Sequence, residues 1–403
     1  MLKSVQIRNF RSCRETHFEC ARGLCGLSGR NGVGKTNILK AIEWACSLAV
    51  TVDTVRTLAA GLGSPDQPTV AMRLAWADDD TTFDYNLEIP AYGTVPSKNG
   101  AGPPVFTESL TVSRDGVSTQ IFQRRGETID LKDTSIPIRV PGMTPALASL
   151  ASLLPPGQEQ AAPILRVRDL LQSVRYYAFD EQPPEPDFVS LSGYREWRLQ
   201  YQSEGTLTDS VTYRLIYLQH EEPLLFDELI AILGPNGLHL VDTVSSVSTH
   251  EYKYVVSPPG HAVLPLNLSV RVTPSTGMGG SGQERILSQL SVGTRRVIQI
   301  VTSLIFDRRS VMLIEQPEDS IHPGLLRKLI DLLRTYSSES QILFTTHSAA
   351  VLNMLRPEEA LLVSSPDGAT QVRSLSAQEI GWAREFLESE GTLSEFLEVQ
   401  EQV

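Results

Sequence analysis

Residues 29–36 read GRNGVGKT and match G-x-x-x-x-G-K-[ST] in full, with Gly29, Gly34, Lys35 and Thr36 at the defining places. Before them, "GLCGLSG" (23–29) is a short apolar run entering a glycine turn. After them, "KTNILKAIEWACSLAV" (35–50) sets Ile38, Leu39, Ile42 and Ala45 at helical spacing. Strand, glycine loop and helix in that order predict an α/β chain. The glycines let backbone N–H groups curl around phosphates without Cβ clashes, and the helix points its positive end at the same place. Lys35 is expected to reach the β and γ phosphates of a nucleotide, and Thr36 to ligate Mg²⁺.

Three further elements follow in a fixed order. "LSVGTRR" (290–296) precedes the helical run "VIQIVTSLIF". A serine and a glycine opening a helix offer a hydroxyl and free N–H groups to an anion, although such pairs also simply cap helices. In "SVMLIEQPEDSIHP", Val311–Ile314 reads as a buried strand with Glu315 leaving its carboxyl end, the edge of a parallel sheet where ligands bind. A carboxylate there can hold Mg²⁺ through water; the competing reading is a solvated acidic turn. "QILFTTHSAAVL" gives another strand, Ile342–Phe344, ending in Thr345, Thr346 and His347. A histidine at a strand end can hydrogen-bond a γ-phosphate or an attacking water, or be merely structural.

The rest of the chain reads as follows. Leu2, Val5, Ile7 and Phe10 form a strand, with "HFEC" (17–20) as its hairpin partner. Residues 61–70 are turn-rich, and two strands then flank the acidic turn Asp78–Asp80. A Gly/Pro loop covers 92–104, and Asp115–Gly116 signals a hairpin. Helical pattern runs from 145 to 175, broken at Pro155–Pro156, with Arg168 and Arg175 on nearby faces. "DEQPPEPD" (180–187) is a breaker and candidate lobe boundary. Two helices split near Pro223, strands occupy 240–272, and 274–284 is a loop. Helix, strand, helix and strand follow, then a helical tail from about 377. There is no internal repeat and no heptad run.

The formal net charge of −12 argues against a non-specific nucleic-acid coat protein, so DNA contact would need a local basic face. The scattered arginines (Arg124–Arg125, Arg166, Arg195, Arg198 and Arg308–Arg309 besides those above) read as solvated charge or as phosphate contacts. The 4 cysteines, Cys13, Cys20, Cys25 and Cys46, contain no CxxC pair and read as buried thiols of a reducing cytoplasm. No signal-type segment is present, and no run approaches the ~20 apolar residues of a membrane helix.

The ordered set resembles the ABC-type ATPase superfamily, and within it the RecF/SMC/OLD-like branch of stand-alone AAA-like ATPases. The matching segments are Ile7–Arg8–Asn9–Phe10–Arg11–Ser12, the loop from Gly29 to Asn37, Ile314 through Pro323, and Thr345–Ser348. The resemblance is specific over 1–50 and 285–365. Between them it is looser, where "SEGTLTDSVTYRLIYLQ" is similar to the branch's lid helices. It implies an ABC-type P-loop NTPase head with an N-terminal antiparallel β-subdomain and an inserted helical lid or α+β subdomain. The corresponding division is 1–180, 181–280 and 281–403. No Toprim nuclease and no long coiled coil are expected.

By this resemblance, two heads sandwich ATP. Asn31, Gly32, Gly34, Lys35, Thr36 and Asn37 bind the nucleotide, Thr36 and Glu315 hold Mg²⁺, and Arg11 reaches the phosphates or is a surface arginine. Ser291 and Gly293 contact the γ-phosphate bound by a partner copy. One set of motifs per chain implies a homodimer or a higher even assembly. Glu315 takes the magnesium-side acidic position, His347 the switch position and Gln316 the place of the catalytic glutamate. An amide cannot accept a proton as a carboxylate does, so hydrolysis is expected to be slow. Three readings stay open: a natural ATP-gated clamp, an introduced glutamate-to-glutamine change, or a base supplied by Glu318 or Asp319. The functional expectation is a nucleotide-gated switch for an effector such as a nuclease, in anti-phage defence or genome maintenance. A RecF-like repair ATPase binding DNA directly is the alternative. A transporter subunit fits less well, because of the N-terminal hairpin and the long insert, and no membrane partner is expected.

Overall fold

The computed structural model describes residues 1–50, 69–78, 80–90, 106–134, 137–141, 144–155, 157–179, 185–204, 210–250, 266–275, 283–308, 311–389 and 391–401. The readings above for residues 61–68, 92–104, 180–184, 205–209, 251–265 and 276–282, and for Asp79, Pro156 and Arg309, lie outside the described residues.

A hairpin of β1 (Leu2–Phe10) and β2 (Cys13–Glu19) precedes β3 (Leu24–Ser28) and α1 (Lys35–Val50). Strands β4 (Thr69–Asp78), β5 (Thr81–Pro90), β6 (Thr107–Arg114), β7 (Val117–Arg125), β8 (Thr128–Leu131) and β9 (Ile138–Arg139) come next. After α2 (Ala146–Leu153), α3 (Ala161–Gln172) and β10 (Val174–Tyr177) come β11 (Val189–Ser190), α4 (Leu191–Glu204), α5 (Val211–Glu221) and α6 (Pro223–Leu233). Then β12 (Val241–His250), β13 (Leu266–Pro274), β14 (Arg285–Ile286), α7 (Val292–Phe306), β15 (Val311–Ile314) and α8 (Pro323–Tyr336) follow. The chain closes with β16 (Gln341–Thr346), α9 (Ala349–Leu352), β17 (Ala360–Ser364), β18 (Gln371–Ser374), α10 (Ala377–Glu388) and α11 (Leu393–Glu401). It forms two units: Met1–Tyr177 with Arg309–Gln316 and Leu333–Val403, and Ala178–Arg308 with Pro317–Leu332.

The first unit holds two sheets. One is antiparallel, in the order β2-β1-β4-β5-β6-β7-β8-β9. In β5, Phe83, Tyr85, Leu87 and Ile89 are buried with partly exposed residues between them, the period of two that a one-sided strand requires. In β1 the apolar residues run Leu2, Val5, Ile7. A register shift between Leu2 and Ser4 restores Leu2 to the buried face despite the three-residue step. The hairpin at Asp115–Gly116 has φ of 52° and 78°, positive at both central residues, as a two-residue turn matching strand twist demands. The buried Glu108 accepts from Tyr85 Oη (2.9 Å) and from the backbone N–H groups of Ala146 and Leu147 (2.5 and 2.8 Å), anchoring the start of α2.

The other sheet has the order β10-β15-β16-β3-β17-β18, parallel except for β18. β3, β15 and β16 are buried at every residue, as central parallel strands covered on both faces are. Helix α1 packs on β1 of the first sheet and on β10 and β15 of the second, and also against α2 and α3. That explains why its buried positions extend beyond one stripe.

The helical pattern expected to 175 stops at Gln172. Val174–Tyr177 pairs with β15 as a parallel strand, so Arg175 is on a strand and not on a helical face with Arg168. Two β-strand-forming tyrosines beside an open sheet edge outweigh the local helical pattern. The strands β17 and β18 likewise have no counterpart in the sequence reading.

The second unit contains the sheet β11-β13-β12, with β14 on β13. Pro223 opens α6 and so separates it from α5. Arg214, buried, donates to Asp307 (2.9 Å) and Ser303 (3.2 Å) of the α7 segment. Trp197 and Tyr201 stack at 5.4 Å beside Phe306. Among the described residues no helix is long and apolar enough to cross a membrane.

Candidate nucleotide site

The register of the parallel sheet brings the predicted residues of the first unit to one edge. Ser28 is opposite Thr346, and Phe344 is opposite Ile314. The segments leaving β3, β15 and β16 therefore start side by side at the carboxyl ends of their strands.

The loop after β3 begins at Gly29, and Asn31 and Gly32 form its tip. Gly34 has φ +102°, and a Cβ there would lie 2.0 Å from Thr370 Oγ1 and 2.6 Å from Ser12 Oγ, so a side chain is excluded twice over. Lys35, buried, turns back over the loop and donates from Nζ to the carbonyls of Gly29 (2.7 Å) and Arg30 (2.8 Å). Thr370 joins the loop to the N-terminal hairpin. Its Oγ1 is 2.8 Å from both Val33 O and Ser12 Oγ, and its backbone N–H donates to Ser12 O. Asn37 Nδ2 donates to Ser12 Oγ at 2.7 Å, and Arg11, exposed with φ +52°, donates to Asn37 Oδ1 at 3.3 Å. The structure thus brings Arg11 and Asn37 together at the first turn of α1.

At the end of β15, Glu315 has both carboxylate oxygens engaged. Oε1 accepts from Thr36 Oγ1 and Oε2 from Tyr176 Oη. Its own N–H donates to Tyr177 O at 2.8 Å. Gln316 has a left-handed backbone, φ +42°. Its N–H donates to Thr345 Oγ1 (3.1 Å), and its Nε2 lies 3.2 Å from Nδ1 of the exposed His347.

In the second unit, Ser291 is the N-cap of α7; its Oγ accepts from Thr294 N at 3.2 Å. Gly293 is pressed on the loop after residue 317, where a Cβ would come within 2.1 Å of Ser320 O. The buried Arg296 donates to Asp319 O at 3.1 Å. The signature-like turn and the 318–321 loop are therefore one packed feature.

A hydroxyl and a carboxylate joined by one hydrogen bond, Thr36 and Glu315, are hard oxygen donors suited to Mg²⁺. Among the described residues no group of three or more His, Cys, Asp or Glu could hold a metal alone. Two protein oxygens beside a phosphate loop suit a cation shared with phosphates. Sequence reasoning missed Tyr176 and Thr370 and placed Thr345 at the strand end without a role; the roles of all three arise from long-range pairing that no local pattern reports.

A glycine loop on β3, a histidine ending its parallel neighbour β16 and a carboxylate ending β15 on the far side of β16 are the arrangement of an ABC-type P-loop head. Residues 4–56 match a family described as an AAA domain, and residues 275–353 one described as "AAA domain, putative AbiEii toxin, Type IV TA system". No curated protein matches the chain. Among solved structures, an SMC head bound to the C-winged helix domain of ScpA is similar over 94% of this chain and 98% of its own, with TM-score 0.50 and 14% identity. A Pyrococcus furiosus Smc head with an extended coiled coil, bound to the C-terminal domain of ScpA, covers 96% and 98% (TM-score 0.48, 12% identity). The Thermotoga maritima SMC head domain covers 93% and 99% (TM-score 0.42, 12% identity). The fold is that of an ABC/SMC-like ATPase head.

Proposed function

We propose that this chain binds ATP with Mg²⁺ and works as a nucleotide-gated switch, with two copies closing around each nucleotide. The observation that carries the reading is the hydrogen bond between Thr36 and Glu315, which joins the phosphate loop to the end of β15. The α1 N-terminus and Lys35 would bind the phosphates, and Thr36 and Glu315 would hold the cation. The cation supplies neutralisation of the charge that builds up during phosphoryl transfer. Arg11, through Asn37, would add a positive charge beside the loop. Ser291 and Gly293 would complete the site of a second copy from the start of α7.

Hydrolysis breaks the bond between the γ-phosphorus and its bridging oxygen as water adds, and the water proton needs an acceptor. Gln316 occupies the position beside His347 where a carboxylate would accept it. The amide orients but does not accept, so turnover is slow and the ATP-bound state is long-lived. A partner protein reading that state is consistent with the SMC head that is bound to a ScpA domain. The family description naming a toxin system favours a defence effector over direct DNA repair.

The test compares ATPase rate and oligomeric size of the protein and its Gln316→Glu variant, with ATP and with ADP. The expected result is an ATP-specific shift to a dimer or higher even oligomer. That assembly should be long-lived in the wild-type protein and short-lived in the Gln316→Glu variant, which converts ATP to ADP faster. Identical size in ATP, ADP and no nucleotide would sink the reading.

A further inference from the structure

We infer that Tyr176 is a positioning residue that sets the affinity of Glu315 for a divalent cation; the inference rests on the ATP–Mg²⁺ reading of that site. The sheet register supports it. Tyr176 pairs with Leu313 on the neighbouring strand, and a period of two places Leu313 and Glu315 on one face. The Tyr176 hydroxyl therefore stands within reach of a carboxylate one step along, and it donates to Oε2. Thr36 takes Oε1. Helix α1 also approaches the tyrosine: Lys40, one turn after Thr36, holds Nζ 6.0 Å from the ring centroid.

The physical consequence concerns orientation. A glutamate side chain rotates about several bonds and can present either oxygen. With Oε2 tied to a half-buried phenol on the adjacent strand, Oε1 is the oxygen left beside Thr36. A partner that orients a metal-binding carboxylate in this way typically changes metal affinity by about 10–100-fold when removed. Tyr176→Phe deletes the donor and keeps the ring, its strand pairing and its contact with Lys40.

The experiment titrates Mg²⁺ into wild-type protein and Tyr176→Phe with a fluorescent ATP analogue, starting from excess EDTA, and repeats the titration with Mn²⁺ followed by electron paramagnetic resonance. The expected result is a cation midpoint raised about 10–100-fold in Tyr176→Phe, with metal-free nucleotide affinity unchanged. In a Glu315→Gln background, Tyr176→Phe should shift the midpoint no further, because the tyrosine acts through that carboxylate. An unchanged midpoint, an equal loss of metal-free affinity, or additive effects of the two substitutions would each overturn the inference alone. Wild-type protein that binds no nucleotide under any condition would instead overturn the ATP reading, and the inference with it.

Discussion

Gln316 and His347 are joined side chain to side chain, with Gln316 Nε2 at 3.2 Å from His347 Nδ1. With the amide N–H donating, Nδ1 is the acceptor. Glutamate has the length of glutamine and adds a proton-accepting oxygen at this place. Gln316→Glu is expected to raise phosphate release about 10²–10⁴-fold under single-turnover conditions. No increase would move the catalytic position elsewhere, with Glu318 and Asp319 the next to replace.

Lys35 holds the loop through the Gly29 and Arg30 carbonyls and carries the charge expected to meet the phosphates. Lys35→Ala should abolish binding of ATP by calorimetry, together with any ATP-dependent change in size by light scattering. Association that persists unchanged in Lys35→Ala would show that the nucleotide is not what joins the copies.

Thr370 is fully buried and bridges Val33 O and Ser12 Oγ. Thr370→Val keeps the shape, takes the hydroxyl donor from Val33 O and removes a partner of Ser12 Oγ, a loss of about 1–3 kcal/mol in urea unfolding. Nucleotide affinity should weaken in the same variant because the loop loses its brace. Retained stability and affinity together would count against a bracing role.

Gly293 leaves no room for a methyl group against Ser320 O. Gly293→Ala should lower stability by about 1–3 kcal/mol, the usual scale of overpacking, measured by thermal unfolding. A variant as stable as wild type would mean that the 318–321 loop yields easily.

Burial pushes the Cys13 thiol up to about 11 and the Cys25 thiol up to about 12, from an ordinary value of 9.0, and raises Cys20 and Cys46 as well. Below pH 9 these thiols are neutral in folded and unfolded chains alike, and their burial contributes fully. Above it the unfolded chain ionises first, so stability falls between about pH 9 and 12. A maleimide at pH 7 should label Cys13, Cys25 and Cys46 only after unfolding, read by mass spectrometry. Rapid labelling of the folded protein at those positions would contradict the burial.

The strand–loop–helix order of residues 24–50 is legible in the sequence because each piece carries a local signature: an apolar run, glycines and a helical stripe. The same holds for the Asp115–Gly116 turn and for the break at Pro223. β10 is not legible, since four residues after a helix have no period of their own and become a strand only by pairing with β15. β17 is an apolar run, but which sheet it joins is set by its pairing with β3, more than 300 residues earlier. At the site, the positions of Glu315, Gln316 and His347 at strand ends follow from where apolar runs stop. The contact between Tyr176 and Glu315 spans 139 residues, and that between Thr370 and Ser12 spans 358. Neither leaves a trace in local pattern.

The strand that carries the phosphate loop has β16 on one side and β17 on the other, both roughly 300 residues or more downstream. During synthesis at about 5–20 residues per second, roughly 15–60 s pass between the emergence of β3 and that of its first neighbour. For that interval a segment that is buried throughout in the folded protein, and that ends in the glycine loop, has no sheet to join. The sheet edge that carries the glycine loop is therefore assembled only after most of the chain has left the ribosome.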